Sequence, residues 1–414
     1  MKKISFLKTS MVVAIALTMG ACSKNGDKNI TQQDHPKVVT TEMMSENGAN
    51  PDEASIKENS DIASSELNSP VSEGSSSGHY LYTESNASEG NSILTYKIKN
   101  NGSLYFNGAT ASGGSGTGKG LGSQGALVLD KNHDWLFAVN AGSNSVSSFK
   151  VNWDGSLTLS HTESTYGTTP VSVSVHGNRL YVLNRGSDNI HGFWIGADGK
   201  LSHIQGSTQP LSSTAVDAPQ ILFSPEGDWI IVTEKATNVI GTFKVKNDGS
   251  VNSGIFTASV GPTPFGFDFS RGRFMIVSNA AGGAVGAGSA TSYVIGNNGV
   301  PDDVNGAIAD NQAAPCWFAV TKYGRFAYTT NTAANSISSY YIAPWGGLYL
   351  VQSIATTTDN GPVDVVVAAN NYFVYELNGK ASTIGGYHRK FLGELELMGN
   401  QAGVPAAATG LATY

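Results

Sequence analysis

The stretch PQILFSPEGDWIIVTEKATNVIGTFKVKNDGSV, residues 219–251, decides the fold. It opens on Pro219, runs through apolar residues to Phe223, and turns at Ser224-Pro225-Glu226-Gly227. A second run, Trp229 to Glu234, ends on a polar residue, and a third carries Phe243. Asn247-Asp248-Gly249-Ser250 then turns the chain again, ahead of Val251. Short runs rich in β-branched and aromatic residues, bounded by Gly, Pro, Asn and Asp, predict strands joined by hairpins. Asn-Gly and Asp-Gly pairs tolerate the positive φ that a tight hairpin requires.

The unit recurs seven times. Aligned on an aromatic in the third strand (Tyr96, Phe149, Phe193, Phe243, Tyr293, Tyr340, Tyr387), the spacings are 53, 44, 50, 50, 47 and 47. A glycine stands six residues after each: Gly102, Gly155, Gly199, Gly249, Gly299, Gly346 and Gly393. Prolines at 170, 219, 264, 315 and 362 introduce the first strand of five copies. Four short antiparallel strands per repeat, here A to D, with no helical periodicity, predict an all-β, seven-bladed β-propeller. The first copy lacks its own strand A, whereas Pro405-Ala406-Ala407-Ala408-Thr409-Gly410-Leu411 repeats the proline-led pattern after the seventh. The C-terminal strand is therefore expected to complete blade 1 and close the ring, which removes the exposed sheet edge.

The 414 residues include 49 Gly, 25 Lys+Arg and 32 Asp+Glu, for a net charge of −7. The charge divides unevenly: +3 over residues 1–21, four Lys against ten acids over 22–77, and 18 basic against 22 acidic residues over 78–414. No strongly basic segment offers phosphates a counterion surface, so nucleic acid is not an expected partner. Lys2, Lys3 and Lys8 precede an apolar run from Met11 to Met19, too short to span a bilayer, which reads as an export signal over residues 1–21. Leu17-Thr18-Met19-Gly20-Ala21-Cys22 resembles a bacterial lipobox, with Met19 where Leu is usual; an ordinary cleaved secretory signal is the alternative. The resemblance implies a lipid on Cys22 and, with Ser23 after it, the outer membrane. Residues 22–77 hold no aromatic residue and abound in Ser, Asn, Glu and Asp, so they read as a disordered tether, leaving 78–414 for the propeller.

In propellers the B–C and D–A loops share one face, around the mouth of a channel lined by the A strands. That face is expected to present the ends of the B strands, Glu84, Asn140, Asn184, Glu234, Asn279, Asn331 and Asn378, with Arg185 and Lys235 just after two of them. The D–A loops add Asp217, Asn311, Gln312 and Asp359. A ring of amides suits a polar ligand; equally, Asn ends strands because it caps turns.

The proline-led strand A, the Ser224 to Gly227 turn, the aromatic strand B and the Asn247 to Ser250 turn together resemble the lactonase family of seven-bladed propellers, which includes 6-phosphogluconolactonase-like and carboxymuconate-lactonising proteins. The resemblance covers residues 78–414 and implies a small lactone or carboxylated sugar as substrate, Glu234 as base or acid, and Arg185 as a bidentate hold on an anion. The pattern departs from the family in having no histidine just after the strand-A proline; those places hold Val171, Gln220, Phe265, Cys316, Val363 and Ala406. Two functions follow: an exported lactonase-like enzyme using Glu234 and Arg185, or a non-catalytic lipoprotein that binds a polar ligand or an envelope protein through Asn140, Asn184, Asp217, Asn279, Asn331 and Asn378. No metal or cofactor is expected, since Cys and His lack zinc spacing and the Asp-Gly turns are hairpins. A monomer is expected.

Overall fold

The computed structural model describes residues 79–414. The signal at 1–21, the tether at 22–77 and Cys22 lie outside the described residues. Seven antiparallel sheets follow in sequence, six of four strands and one of five, and the single helical element among the described residues is a 3₁₀ turn, Ala281–Gly283. The A strands of successive blades pack against one another around the whole ring. The D strands form the outer rim and carry most of the exposed strand positions.

Closure follows the expected route. Thr409–Thr413 pairs antiparallel with His79–Glu84, setting Leu81 opposite Thr413 and Tyr82 opposite Ala412. Tyr80 and Tyr414 exchange backbone hydrogen bonds of 3.2 Å in both directions. Blade 1 thus takes strand A from one end of the propeller sequence and strands B to D from the other.

The prolines have a local job. Pro170, Pro264, Pro315 and Pro362 each open a strand A, and the pairing register with strand B slips immediately after each. Proline has no N–H to donate, so it sits where a ladder begins and a bulge absorbs the missing bond.

The seven repeat glycines join the blades. All have φ between +74° and +91°, the left-handed region that favours glycine. A Cβ at Gly199 would lie 2.1 Å from the Trp135 ring, at Gly346 2.2 Å from Phe274, and at Gly155 2.3 Å from Tyr80. Each of these rings stands at the start of strand B of the preceding blade. Blade 3 opens strand B with Arg179 instead; Trp194, its cross-strand partner, supplies the ring against Gly249. Tyrosine hydroxyls seal the same seam: Tyr82 donates to the Gly155 carbonyl at 2.9 Å and Tyr181 to Gly249 at 2.5 Å. Tyr375 of blade 7 donates to Gly102 of blade 1 at 2.7 Å, so the closing seam is built like the others.

Candidate functional site

The B-strand ends gather at the mouth end of the disc, as their place in each blade dictates, yet none of them reaches its surface. Asn140, Asn184, Asn279, Asn331 and Asn378 are all fully buried. Their amides reach strand C of their own blade: Asn331 donates to Ser336 at 3.0 Å and Ser338 at 2.8 Å, and Asn140 to Ser145 and Ser147 at 3.2 and 2.8 Å. Asn279 does the same to Ser289 and Thr291. Asn184 donates to Asn189 and to the Thr165 carbonyl, and Asn378 to Thr383 and Glu376. D-A loops close over three of them: a Cβ at Gly114, Gly167 or Gly261 would lie 2.5, 2.5 or 2.2 Å from the Asn140, Asn184 or Asn279 side chain. These amides brace loops through their N–H groups, for which strand C supplies acceptors, while the amide oxygens of Asn184, Asn279, Asn331 and Asn378 are buried without a hydrogen bond from any described residue.

Glu234 is held in the same way. Its carboxylate is fully buried and accepts from the Ser212 N–H at 3.0 Å, from the Ser212 hydroxyl, and from the Thr237 hydroxyl at 2.6 Å. It ties a D–A loop to a B–C loop. Arg185 does not pair with it.

The channel is closed by chain rather than left open. Residues 121–125, ahead of strand A of blade 2, contact blades 3, 4 and 6. Ser123 donates to the Val171 carbonyl at 2.8 Å, the Gln124 N–H to Pro219 at 3.0 Å, and the Trp317 indole donates to the Ser123 carbonyl at 2.8 Å. The Gln124 side chain imitates a peptide, donating to the Phe318 carbonyl at 2.6 Å and accepting its N–H at 3.0 Å. Gly266 is required beside it, since a Cβ there would lie 2.2 Å from the Gln124 Oε1. Gln220 repeats the device between blades 4 and 5, with both bonds to Phe267. Asp268 and Asp364 serve the same purpose on other A strands, accepting backbone N–H groups of Val320 and Leu411. Burial pushes the Asp364 carboxyl up to about 8 and that of Asp268 to about 6, against the lowering effect of those bonds.

A polar cluster at the mouth is open to solvent. Asp217, half exposed, lies between Lys235, whose Nζ is 2.9 Å away, and Arg185, whose Nη1 is 3.6 Å away. Both cations are largely buried. Arg185 also donates to the Gly122 carbonyl of the plug at 3.4 Å, and burial draws its guanidinium below the usual range against the opposing pull of Asp217. Lys235 sits 5.0 Å from the centre of the Phe265 ring, which packs on Trp317 at 4.8 Å. Asp217 is held at φ +51°, a left-handed conformation in the loop just ahead of strand A. Two cations sharing one carboxylate leave a net positive charge over an aromatic floor, an arrangement suited to a small anion. Phe265 and Trp317 were not among the site residues predicted from sequence; Lys235 was placed on this face without a role, and of the residues given one, only Arg185 and Asp217 meet here.

Comparison with known proteins bears on this geometry. Residues 115–218, from the plug through blade 3 to Asp217, match the family described as Lactonase, 7-bladed beta-propeller. Over that quarter of its length the chain is similar to lactonase propellers. Solved structures agree on the fold. A candidate 6-phosphogluconolactonase from Bacteroides fragilis matches at 18% identity and a TM-score of 0.66, over 82% of this chain and 99% of its own. The periplasmic gluconolactonase of Pseudomonas aeruginosa matches at 18% identity and 0.64, over 81% and 99%. A Lactobacillus plantarum protein matches at 17% identity and 0.67, over 81% and 99%. No curated protein sequence matches the chain.

Proposed function

We propose that this lactonase-type propeller holds a small carboxylated or phosphorylated molecule between Arg185 and Lys235, on a protein fastened to the bacterial outer membrane by a lipid on Cys22. One observation carries the reading: two largely buried cations share a single half-exposed carboxylate above Phe265. An incoming anion that meets both cations releases Asp217 to solvent, and a planar carboxylate or phosphate fits the Arg185 fork better than the 3.6 Å contact it replaces. Binding is favoured over turnover by Glu234, because that carboxylate is buried and committed to Ser212 and Thr237. Calorimetric titration with gluconate, 6-phosphogluconate and gluconolactone tests the reading. Saturable heat with the acids, weakened by salt, is expected; no binding of either acid contradicts it.

A second reading is lactone hydrolysis centred on Asp217, favoured by its exposure between two cations and by the gluconolactonase among the similar structures. A water adds to the lactone carbonyl carbon and gives its proton to Asp217, while Arg185 meets the oxyanion. The ring C–O bond then breaks as Lys235 protonates the departing oxygen, and Asp217 returns a proton to Lys235 across their 2.9 Å contact. Turnover that survives Glu234→Gln and fails in Asp217→Asn supports it; no turnover on any lactone removes it.

A further inference from the structure

The end of the disc opposite the mouth carries the A–B and C–D turns, and the chain enters there: His79, the first described residue, opens strand B of blade 1 at that end. Exposed aromatics on these turns are confined to one arc. Trp345 and Tyr323 stand on blade 6, Phe391 on blade 7, Tyr105 beside the C–D turn of blade 1, and Trp153, 84% exposed, on blade 2. The C–D turns of blades 3, 4 and 5, residues 196–200, 246–250 and 296–300, hold no aromatic residue. Blades 6, 7, 1 and 2 are consecutive, so blade 1, where the chain enters, lies inside the arc.

Two of the rings have a cation beside them. Lys99 lies 5.6 Å from the Tyr105 ring centre and Lys322 5.9 Å from that of Tyr323, with Arg325 in the same turn as Lys322. The C–D turn of blade 1 and both turns of blade 6 hold no acid; outside the arc, blade 4 holds Glu226, Asp248 and an Asp228 paired with Lys244, and blade 5 holds Arg271 and Arg273. On blades 2 and 7, Asp134 and Glu396 are paired with Lys150 and Lys390, while Asp130, Asp154 and Glu394 carry no ion pair with any described residue.

We propose that this arc rests on an anionic lipid surface, with Trp153, Trp345 and Phe391 entering the headgroup layer and Lys99, Lys322 and Arg325 meeting phosphates. The proposal rests on reading Cys22 as lipid-bearing. Amphipathic rings and basic side chains are the groups that settle at a bilayer interface, and anionic headgroups attract such cations. An acyl anchor on the same chain holds the disc near the bilayer, so a weak contact suffices to orient it. The chain enters the propeller inside this arc, and with the arc on the lipid the mouth faces away from the bilayer.

The test uses the chain from residue 22 with Cys22→Ser, which carries no lipid, sedimented with vesicles of phosphatidylglycerol and phosphatidylethanolamine or of phosphatidylcholine alone. Salt-sensitive binding to the anionic vesicles is expected, weakened about tenfold or more in a Trp153→Ala, Trp345→Ala, Phe391→Ala variant whose melting temperature is unchanged. A Lys322→Glu, Arg325→Glu variant is expected to lose the preference for anionic vesicles. Failure to bind the anionic vesicles, equal binding to phosphatidylcholine, or binding indifferent to both variants overturns the proposal, as does a protein captured by the arc while vesicles are not. Fractionation of cells making the wild type or Cys22→Ser tests acylation separately: if both are soluble, the lipid reading fails while the vesicle result still decides the arc.

Discussion

At the end of the disc that carries the A–B and C–D turns, one arrangement appears at every seam: a left-handed glycine seated on an aromatic ring of the preceding blade. At the mouth end the B-strand residue is Asn in five blades and Glu in two, one D–A loop lengthens into a plug, and only blades 3 and 4 add Arg185 and Lys235. The repeated end fits seven sheets into a ring, so any change there meets a packed neighbour. The irregular end departs from the repeat where the chain meets something other than the next blade, and a ligand cluster is expected at such departures.

This contrast sets the scale of the expected effects. Gly346→Val combines φ of +91° with a Cβ 2.2 Å from Phe274, and is expected to cost about 3 kcal/mol or more in chemical denaturation. Gly177, at φ +58° with nothing within 4 Å of a Cβ, is the matched control, and Gly177→Ala should cost about 1 kcal/mol. Equal costs would mean that seam packing contributes nothing beyond backbone strain. Gln124→Ala leaves the Phe318 N–H and carbonyl without their partner across the channel and is expected to cost about 2 kcal/mol; a neutral result would show that the plug is not joined to blade 6.

The most graded effect is that of pH. Burial raises Asp364 to about 8, Glu376 to about 7, and Asp268 and Asp310 to about 6. In the unfolded chain such carboxyls ionise near pH ~4. Between that value and the folded ones the native state holds more protons, so stability falls as pH rises through the window. Melting temperature should be higher at pH 5 than at pH 8, and Asp364→Asn should flatten the slope most at its alkaline end. A profile that rises from pH 5 to pH 8 would contradict these assignments.

The repeated end was readable because its causes are local and recur: a turn needing positive φ and an aromatic six residues earlier. Closure by the C-terminal strand was readable from one missing strand and one surplus. The fate of the amides was half visible. Ser145 and Ser147 follow Asn140 at the same spacing as Ser336 and Ser338 follow Asn331, a pattern that marks partners for a buried side chain. The plug was not readable, since Gln124 and Phe318 lie 194 residues apart and outside the repeat. Nor could spacing tell which acid Arg185 would meet: Asp217 and Glu234 sit in loops of the same face, and only folded distances assign the pair to Asp217.

The central claim is that Glu234 holds the mouth together while Arg185 meets the ligand. The most direct test is a crossed measurement of melting and of 6-phosphogluconate titration on two variants, Glu234→Gln and Arg185→Ala. The account predicts that Glu234→Gln melts lower and still binds, and that Arg185→Ala loses binding. The reverse pattern, binding lost with Glu234 and kept without Arg185, would contradict it.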